Sequence, residues 1–421
     1  MRILIVPMFA LSSMNGPWSR AQTVARAFLE AGHDVVLAQA PDGNCHHPVS
    51  PHVLTLPAPS PLGLPMAIAS RTFPLATKLG IVGRKPVKSF EEVLWLTGNL
   101  SHNYTMRCVD VLRTCIRTKG IDAVYSEFNL AAIIAAKAEN VPLVGSVSYP
   151  TQASYACAPR KAKGIKRALK ELGLPRVGSA LDLFTWLDYR FGPSCYELEP
   201  MEGDNLAFCG FLNDAPATDA SLSANADARA SANAPAPARQ RDALVFYLGT
   251  GTVPQKQLIT AICEIARELP YELYVAGIDA SDVPEDAKAL PNLHVGKRFD
   301  FAKLLPHAAA FINHGGQNSV MSALAYGVPQ IIYPGKVFER QYNAQSIENA
   351  GAGIRIETFT AREITEAIRR VASDASLAQN AAALQETLSN LGGASCIISH
   401  TEELLADRIV KKLFPKRFPL D

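Results

Sequence analysis

One stretch of this 421-residue chain gathers residue types that bind anions: Asn313-His314-Gly315-Gly316-Gln317-Asn318-Ser319, continuing through Leu324 to Gly327-Val328-Pro329. The apolar run Ala309 to Ile312 before it reads as a buried strand, the glycine pair as a turn and the small and apolar residues after it as a helix. Strand, turn and helix N-terminus together aim backbone N–H groups and the positive end of the helix dipole at one spot. His314, Asn318 and Ser319 add short side-chain donors there. A second glycine loop, Gly249-Thr250-Gly251-Thr252, ends the apolar run Ala243 to Leu248. In the first half, Ser126-Glu127 ends the run Asp122 to Tyr125, which sets a carboxylate at a strand tip, where open sheets bind ligands.

Elements of alternating type must position these groups. Arg2 to Val6 reads as a first strand. It is followed by a loop from Pro7 to Trp18, and then by a helix whose residues Ala21, Val24, Ala25, Phe28 and Leu29 share one face, with Ser19 and Gln22 spaced as a capping box. Gly32 ends that helix and Asp34 to Ala38 is a second strand, a βαβ opening. Residues 42–88 are proline-rich, with one strand at Val53 to Leu56; the pair His46-His47 has no third ligand near it and reads as loop. Phe90 to Lys119 reads as one long helix with Cys108 and Cys115 on a core face. Helix Leu130 to Ala138 and strand Pro142 to Val147 follow, and Tyr149 to Pro193 is irregular apart from a basic stretch. That stretch, Arg160 to Arg176, spaces Ile165, Ala168, Leu169 and Leu172 as an amphipathic helix and leaves two readings: a solvated surface helix, or a contact with a membrane surface or an anionic acceptor.

The chain is too long for one core. Residues 1–213 form a first domain, 214–241 an Ala/Pro-rich linker with little to bury, 242–393 a second domain and 394–421 a terminal helix and tail. The second domain alternates strands and helices: helix Gln257 to Leu269, strands at Glu272, Leu293 and Gln330, helix Gln341 to Ala350, strand Gly353 to Ile356, and helix Ala361 to Val371 with Thr360 and Glu363 as a capping box. Two doubly wound α/β domains would put a cleft between their glycine loops. Lys+Arg of 41 against Asp+Glu of 39 excludes the electrostatic footprint of a nucleic-acid binder. Eight scattered cysteines, with no C-x-x-C pair, favour reduced thiols in a cytoplasm over a metal or disulfide framework. No run approaches the length of a membrane span.

The residues from His314 onward resemble the nucleotide-sugar-dependent glycosyltransferases of the GT-B fold, specifically the UDP-glycosyltransferase superfamily and its bacterial natural-product (antibiotic-type) branch. That signature runs H-G-G-x-[NG]-[ST], A-L-x-x-G-V-P, a proline-led loop, an acidic residue then Gln, N-A and G-x-G. The chain supplies His314-Gly315-Gly316-x-Asn318-Ser319, Ala323-Leu324, Gly327-Val328-Pro329, Pro334, Glu339, Asn343-Ala344 and Gly351-x-Gly353. The resemblance implies a GT-B fold of two Rossmann-like domains whose C-terminal helices cross back to the first. It implies that Thr250, His314, Gly315, Gly316, Asn318 and Ser319 hold the donor diphosphate. Arg298, Phe299 and Ser322 would hold the nucleoside, and Glu339, Arg340 and Gln341 the sugar.

Three positions depart from the pattern. Gly16-Pro17 stands where inverting members carry a base histidine; Ser322 stands where plant-type members keep a Glu and antibiotic-type members often a Thr; Arg340 takes the place of the usual Gln, which comes one position later as Gln341. With no histidine available, Glu127 is the candidate base, because its strand tip lies where the family keeps the acid that supports that histidine. The alternative is that Glu127 caps the following helix. His33 and His102 read as structural or surface residues.

The expected activity is inverting, metal-independent transfer of a hexose or deoxyhexose from a UDP- or TDP-sugar to a hydroxyl of a hydrophobic small molecule, with no cofactor beyond that co-substrate. Two alternatives stand beside it: a membrane-lipid acceptor, reached through Arg160 to Arg176 and the apolar loop from Leu62 to Ile68, or a nucleotide-sugar-binding protein without catalysis.

Overall fold

The computed structural model describes residues 1–10, 16–41, 45, 47–61, 86–212, 241–249 and 252–413. They form two compact units, one of residues 1–61, 86–212 and 388–413, the other of residues 241–387.

In the first unit, seven parallel strands lie in the order β3-β2-β1-β4-β5-β6-β7. They are β1 (Arg2–Pro7), β2 (Asp34–Gln39), β3 (His52–Thr55), β4 (Ala123–Glu127), β5 (Leu143–Ser146), β6 (Tyr189–Gly192) and β7 (Leu206–Phe208). The last two fall where the sequence reads as irregular or unassigned: four- and three-residue strands are too short to set up a visible alternation. The helices used below are α1 (Gly16–Glu30), α2 (Phe90–Leu96), α3 (His102–Lys119), α4 (Leu130–Glu139) and α5 (Lys163–Glu171). Because α1 starts at Gly16, Ser19 is helix interior and not a cap, and Gln22 bonds instead to the backbone of His47 and Val49. His46 lies outside the described residues.

The long helix expected over 90–119 is two helices. Gly98 turns the chain at a φ of +85°, and a side chain there would stand 2.1 Å from the Ser60 carbonyl oxygen. Ser89 caps α2 by accepting from Glu92 N–H. Cys108 and Cys115 are buried on α3 as expected. The apolar face of α5 (Ile165, Ala168, Leu169) is buried in the protein's own core, against α3. That leaves its charges outside but no apolar stripe for a membrane. The loop from 62 to 68 lies outside the described residues.

In the second unit, six parallel strands lie in the order β10-β9-β8-β11-β12-β13. They are β8 (Ala243–Tyr247), β9 (Glu272–Ala276), β10 (Leu293–Gly296), β11 (Ala308–Asn313), β12 (Gln330–Ile332) and β13 (Gly353–Arg355). Helices α6 (Gln255–Glu268), α7 (Gln317–Leu324), α8 (Phe338–Asn349) and α9 (Ala361–Ser373) alternate with them. Thr360 accepts from Glu363 N–H at the start of α9, while the Glu363 carboxylate takes the N–H groups of Glu357 and Thr358 and does not close the box. Of the expected linker, residues 214–240 lie outside the described residues. Arg241 belongs to the second unit, since its guanidinium donates to the carbonyls of Tyr326 and Gly327.

Helices α10 (Ala375–Asn390) and α11 (Ala394–Leu413) close the described chain, and α11 returns to the first unit as expected. There Ile397 is buried with Ile3, Ile5 and Phe28, and α11 lies against α1. In each unit the strand order reverses between two neighbouring strands, β1 and β4 in one, β8 and β11 in the other. The crevice beyond the carboxyl ends of such a pair is where open α/β sheets hold ligands. Glu127 and His314 stand at those two places.

Candidate functional site

In the second unit the site is built from the end of β11. Asn313 is fully buried, and its carboxamide ties the turn to the sheet: Oδ1 accepts from Gly315 N–H at 2.8 Å and Nδ2 donates to Gln330 Oε1 at 2.9 Å. Gly315 sits at a φ of +77°, where a side chain would also be 2.9 Å from the Arg340 carbonyl oxygen, so both the backbone and the space require glycine. Asn343, on α8, donates to the Gly315 carbonyl at 2.8 Å. Gly316 is the N-cap of α7, so the first-turn N–H groups and the positive end of that helix begin beside His314.

The His314 ring is wedged between glycines. A side chain at Gly316 would stand 2.6 Å from Nε2, and one at Gly249 would stand 3.2 Å from the ring. Nδ1 lies 3.4 Å from the Tyr247 carbonyl oxygen, and the Tyr247 ring packs edge-on at 5.6 Å. Burial first, then the positive charge of Arg340, push the imidazole down to about 3 from its ordinary 6.5. His314 is therefore neutral across the physiological range. The cation of the corner is Arg340, whose Nη1 donates to Thr252 Oγ1 at 2.7 Å. Burial pulls its own pKa down.

The structure thus brings together His314, Gly315, Gly316, Arg340 and Thr252, with Asn318 and Ser319 in the first turn of α7 and Ser322 in the turn after it. Thr250 lies outside the described residues. Glu339, Arg340 and Gln341 are in the first turn of α8, which begins three residues before the expected Gln341; Gln341 donates to the Gly335 carbonyl. Arg298 is exposed just past β10, and the half-buried Phe299 packs its ring against Tyr274 at 5.8 Å. Thr252 and Asn343 are additions to the expected set. Asn343 lay in the quoted signature, but its bond to Gly315 depends on how α8 packs.

At the switch point of the first unit, Glu127 is fully buried. Its Oε1 accepts from Arg20 Nε at 2.6 Å, and its Oε2 accepts from Ser146 Oγ at 2.5 Å and from Tyr125 OH at 3.2 Å. Burial, and then the Glu127 charge, hold the Tyr125 phenol well above its ordinary range, so it remains a donor. The backbone carbonyl of Glu127 accepts from Met8 N–H at 2.8 Å, which ties the tip of β4 to the loop after β1. Next to it, Phe128 holds a φ of +59°, a strained value for an aromatic residue, and packs with Phe90 and Phe184. Glu127 is not the cap of α4: Asn129 is, accepting from Ala132 N–H at 3.0 Å. Arg20, Tyr125 and Ser146 were not read from the sequence, and only the position of Arg20 shortly after Gly16-Pro17 could have drawn attention. Among the described residues no His, Cys, Asp and Glu group could hold a metal ion. His102 meets Glu171 at 2.9 Å on the surface, and His33 meets Glu402 at 3.0 Å.

Comparisons with known proteins cover the second unit by sequence and nearly the whole chain by fold. Residues 258–403 match the family model of the erythromycin biosynthesis protein CIII-like C-terminal domain. Aclacinomycin-T 2-deoxy-L-fucose transferase of Streptomyces galilaeus is 27% identical over 154 residues, which are 36% of this chain and 34% of that protein. The chain thus spans about a third of the length of that relative. Among solved structures, the glycotransferase of kitacinnamycin superposes with a TM-score of 0.68 at 17% identity, covering 96% of this chain and 98% of that one. Spinosyn rhamnosyltransferase complexed with thymidine diphosphate gives 0.65 at 17% identity, covering 96% and 100%. These bear out the resemblance read from His314 to Gly353 and the two-domain GT-B fold.

Proposed function

We propose that this chain, with an EryCIII-like C-terminal domain on a GT-B fold, is a glycosyltransferase that takes a hexose or deoxyhexose from a UDP- or TDP-sugar. The sugar passes with inversion, and without a metal, to a hydroxyl of a hydrophobic small molecule. The observation that carries this reading is the anion corner at the end of β11: a glycine turn, a helix N-terminus, a neutral His314 and the Arg340 cation in one place. The acceptor oxygen attacks the anomeric carbon, the bond from that carbon to the diphosphate oxygen breaks, and the acceptor hydroxyl gives up its proton. Charge develops on the leaving diphosphate, and fixed donors at the corner stabilise it more in the transition state than in the bound donor. The relatives' names agree: one is a deoxyfucose transferase, and spinosyn rhamnosyltransferase has been seen with thymidine diphosphate and with its aglycone.

Glu127 supports the transfer in this reading as a positioning carboxylate. Both its oxygens are taken and it has no exposed surface, which favours a role in fixing Arg20 and the tips of β1, β4 and β5 over direct contact with an acceptor. The base role expected from the sequence makes a different prediction. With Glu127→Gln, a positioning role lowers the rate without moving the pH at which activity falls on the acid side, whereas a base role removes that acid limb and lowers the rate at least about a hundredfold.

The proposal as a whole is tested by thermal shift against a panel of nucleotide sugars, followed by assay for nucleoside diphosphate release. A donor present at about a hundred times its Kd stabilises the protein by about 2.7 kcal/mol. No shift with any UDP- or TDP-sugar would sink the proposal. A second reading, a binding protein without catalysis, is favoured by the buried Pro17 at the start of α1, which has no atom to accept a proton. Donor binding with no diphosphate release for any acceptor would select it.

A further inference from the structure

Arg340 occupies the place where the resembled family has a glutamine, on the first turn of α8, and the change from amide to guanidinium brings a permanent charge into a largely enclosed corner. Among the described residues its guanidinium hydrogen-bonds to a neutral hydroxyl, Thr252 Oγ1. Among the described residues no carboxylate lies within ion-pair distance of it, although other arginines in both units have such partners, among them Arg20, Arg113, Arg267 and Arg369. A guanidinium carries five N–H donors, so most of its donors remain for a ligand. Glu339 acts on it only through space, without an ion-pair contact, and a part-buried cation with no carboxylate in contact is costly unless an anion arrives to pair with it. Its place is fixed as well. The Arg340 backbone packs against Gly315, the turn that opens α7, and the guanidinium is near enough to His314 to help hold that ring neutral. A neutral imidazole brings no charge to a dianion, so the charge needed at this corner has one source among the described residues of the site.

We propose that Arg340 is the cation that binds the diphosphate of the nucleotide sugar at the His314 corner, and not a ligand of the sugar hydroxyls as its position in the signature implies. The inference rests on the proposed use of a nucleotide-sugar donor and adds which residue carries the charge. On transfer, the guanidinium pairs with the leaving diphosphate, the role that a metal ion fills in metal-dependent transfer.

The test is calorimetric titration of the full chain with UDP, TDP, the corresponding monophosphates and nucleosides, and UDP-glucose beside UDP-glucuronate. Each is run on the parent, Arg340→Gln and Arg340→Lys, with circular dichroism to check that the variants are folded. Arg340→Gln is expected to weaken the better-binding diphosphate by about 10- to 100-fold. It should leave the nucleoside within about threefold and flatten the salt dependence of diphosphate binding. Arg340→Lys should recover part of the loss, as a point charge without the planar fork. If Arg340→Gln binds UDP and TDP within about threefold of the parent, the inference is overturned while the donor reading stands. It is equally overturned if the loss is confined to UDP-glucuronate, which would place Arg340 on the sugar. If the parent binds no nucleoside diphosphate or nucleotide sugar at all, the proposed function itself fails.

Discussion

At the residue scale, His314 shows how enclosure sets chemistry. Its ring is packed between Gly249, Gly316 and Tyr247, and burial rather than any single charge is the main cause of its fall to about 3. The sign of the stability effect follows from linkage. Below pH 6.5 the unfolded chain takes up a proton at His314 that the folded protein refuses until near pH 3, so this contribution to stability is fully present above 6.5 and is lost as pH falls toward 3. The slope of one refused proton is about 1.4 kcal/mol per pH unit. Between pH 7.5 and 5 the parent should therefore lose about 2 kcal/mol more stability than His314→Gln, as measured by denaturant unfolding followed by circular dichroism. Equal losses in the two proteins would show that the ring is solvated. The corner itself was legible in the sequence because its glycines and short polar side chains from Asn313 to Ser319 are contiguous there. The Glu127 environment was not, because Arg20, Tyr125 and Ser146 lie on three different elements and meet only when β1, α1, β4 and β5 assemble.

At the element scale, the places read correctly are those where local chemistry alone decides. Gly327 at a φ of +57° ends the turn after α7, Thr360 begins α9, and the apolar alternation gives the central strands. The misreadings lie where a tertiary contact overrides the pattern. The periodicity from Phe90 to Lys119 carries no sign that Gly98 must pass against the Ser60 backbone, and β6 and β7 exist because β5 offers an edge to β6 and β6 in turn offers one to β7. Asn129 joins the two levels. It caps α4 through Ala132 N–H and also donates to the Pro7 carbonyl at 2.9 Å, linking that helix start to the end of β1 beside Glu127. Asn129→Ala should lower stability by about 1–3 kcal/mol, since it removes a cap and leaves a buried carbonyl short of a donor. Asn129→Asp keeps the capping oxygen and should fall between the two. A loss below about 0.5 kcal/mol in urea unfolding of Asn129→Ala would mean that neither bond contributes.

At the scale of the whole molecule, the chain divides into two units, and the first is completed by its own far end. From the sequence, the terminal helix could be given a destination only by resemblance, because nothing in Ala394 to Leu413 names its partner. In the structure, Ile397 of α11 has no exposed surface and lies among Ile3, Phe28, Phe191 and Leu212, and Thr401 one turn on is buried too. The segment from 388 onward is thus part of the core that supports Glu127 and α1, and not an appendage to the second unit before it. This gives a measurement specific to one unit, because all three tryptophans, Trp18, Trp95 and Trp186, lie in the first. Ile397→Ala removes a fully enclosed side chain and should destabilise that unit by about 2–5 kcal/mol, the usual range for such a cavity. Tryptophan fluorescence during urea unfolding reads that change directly, as a midpoint moved to lower urea with the slope unchanged. A shift worth less than about 1 kcal/mol would mean that α11 does not contribute to the core of the first unit, and that the unit folds without the end of the chain.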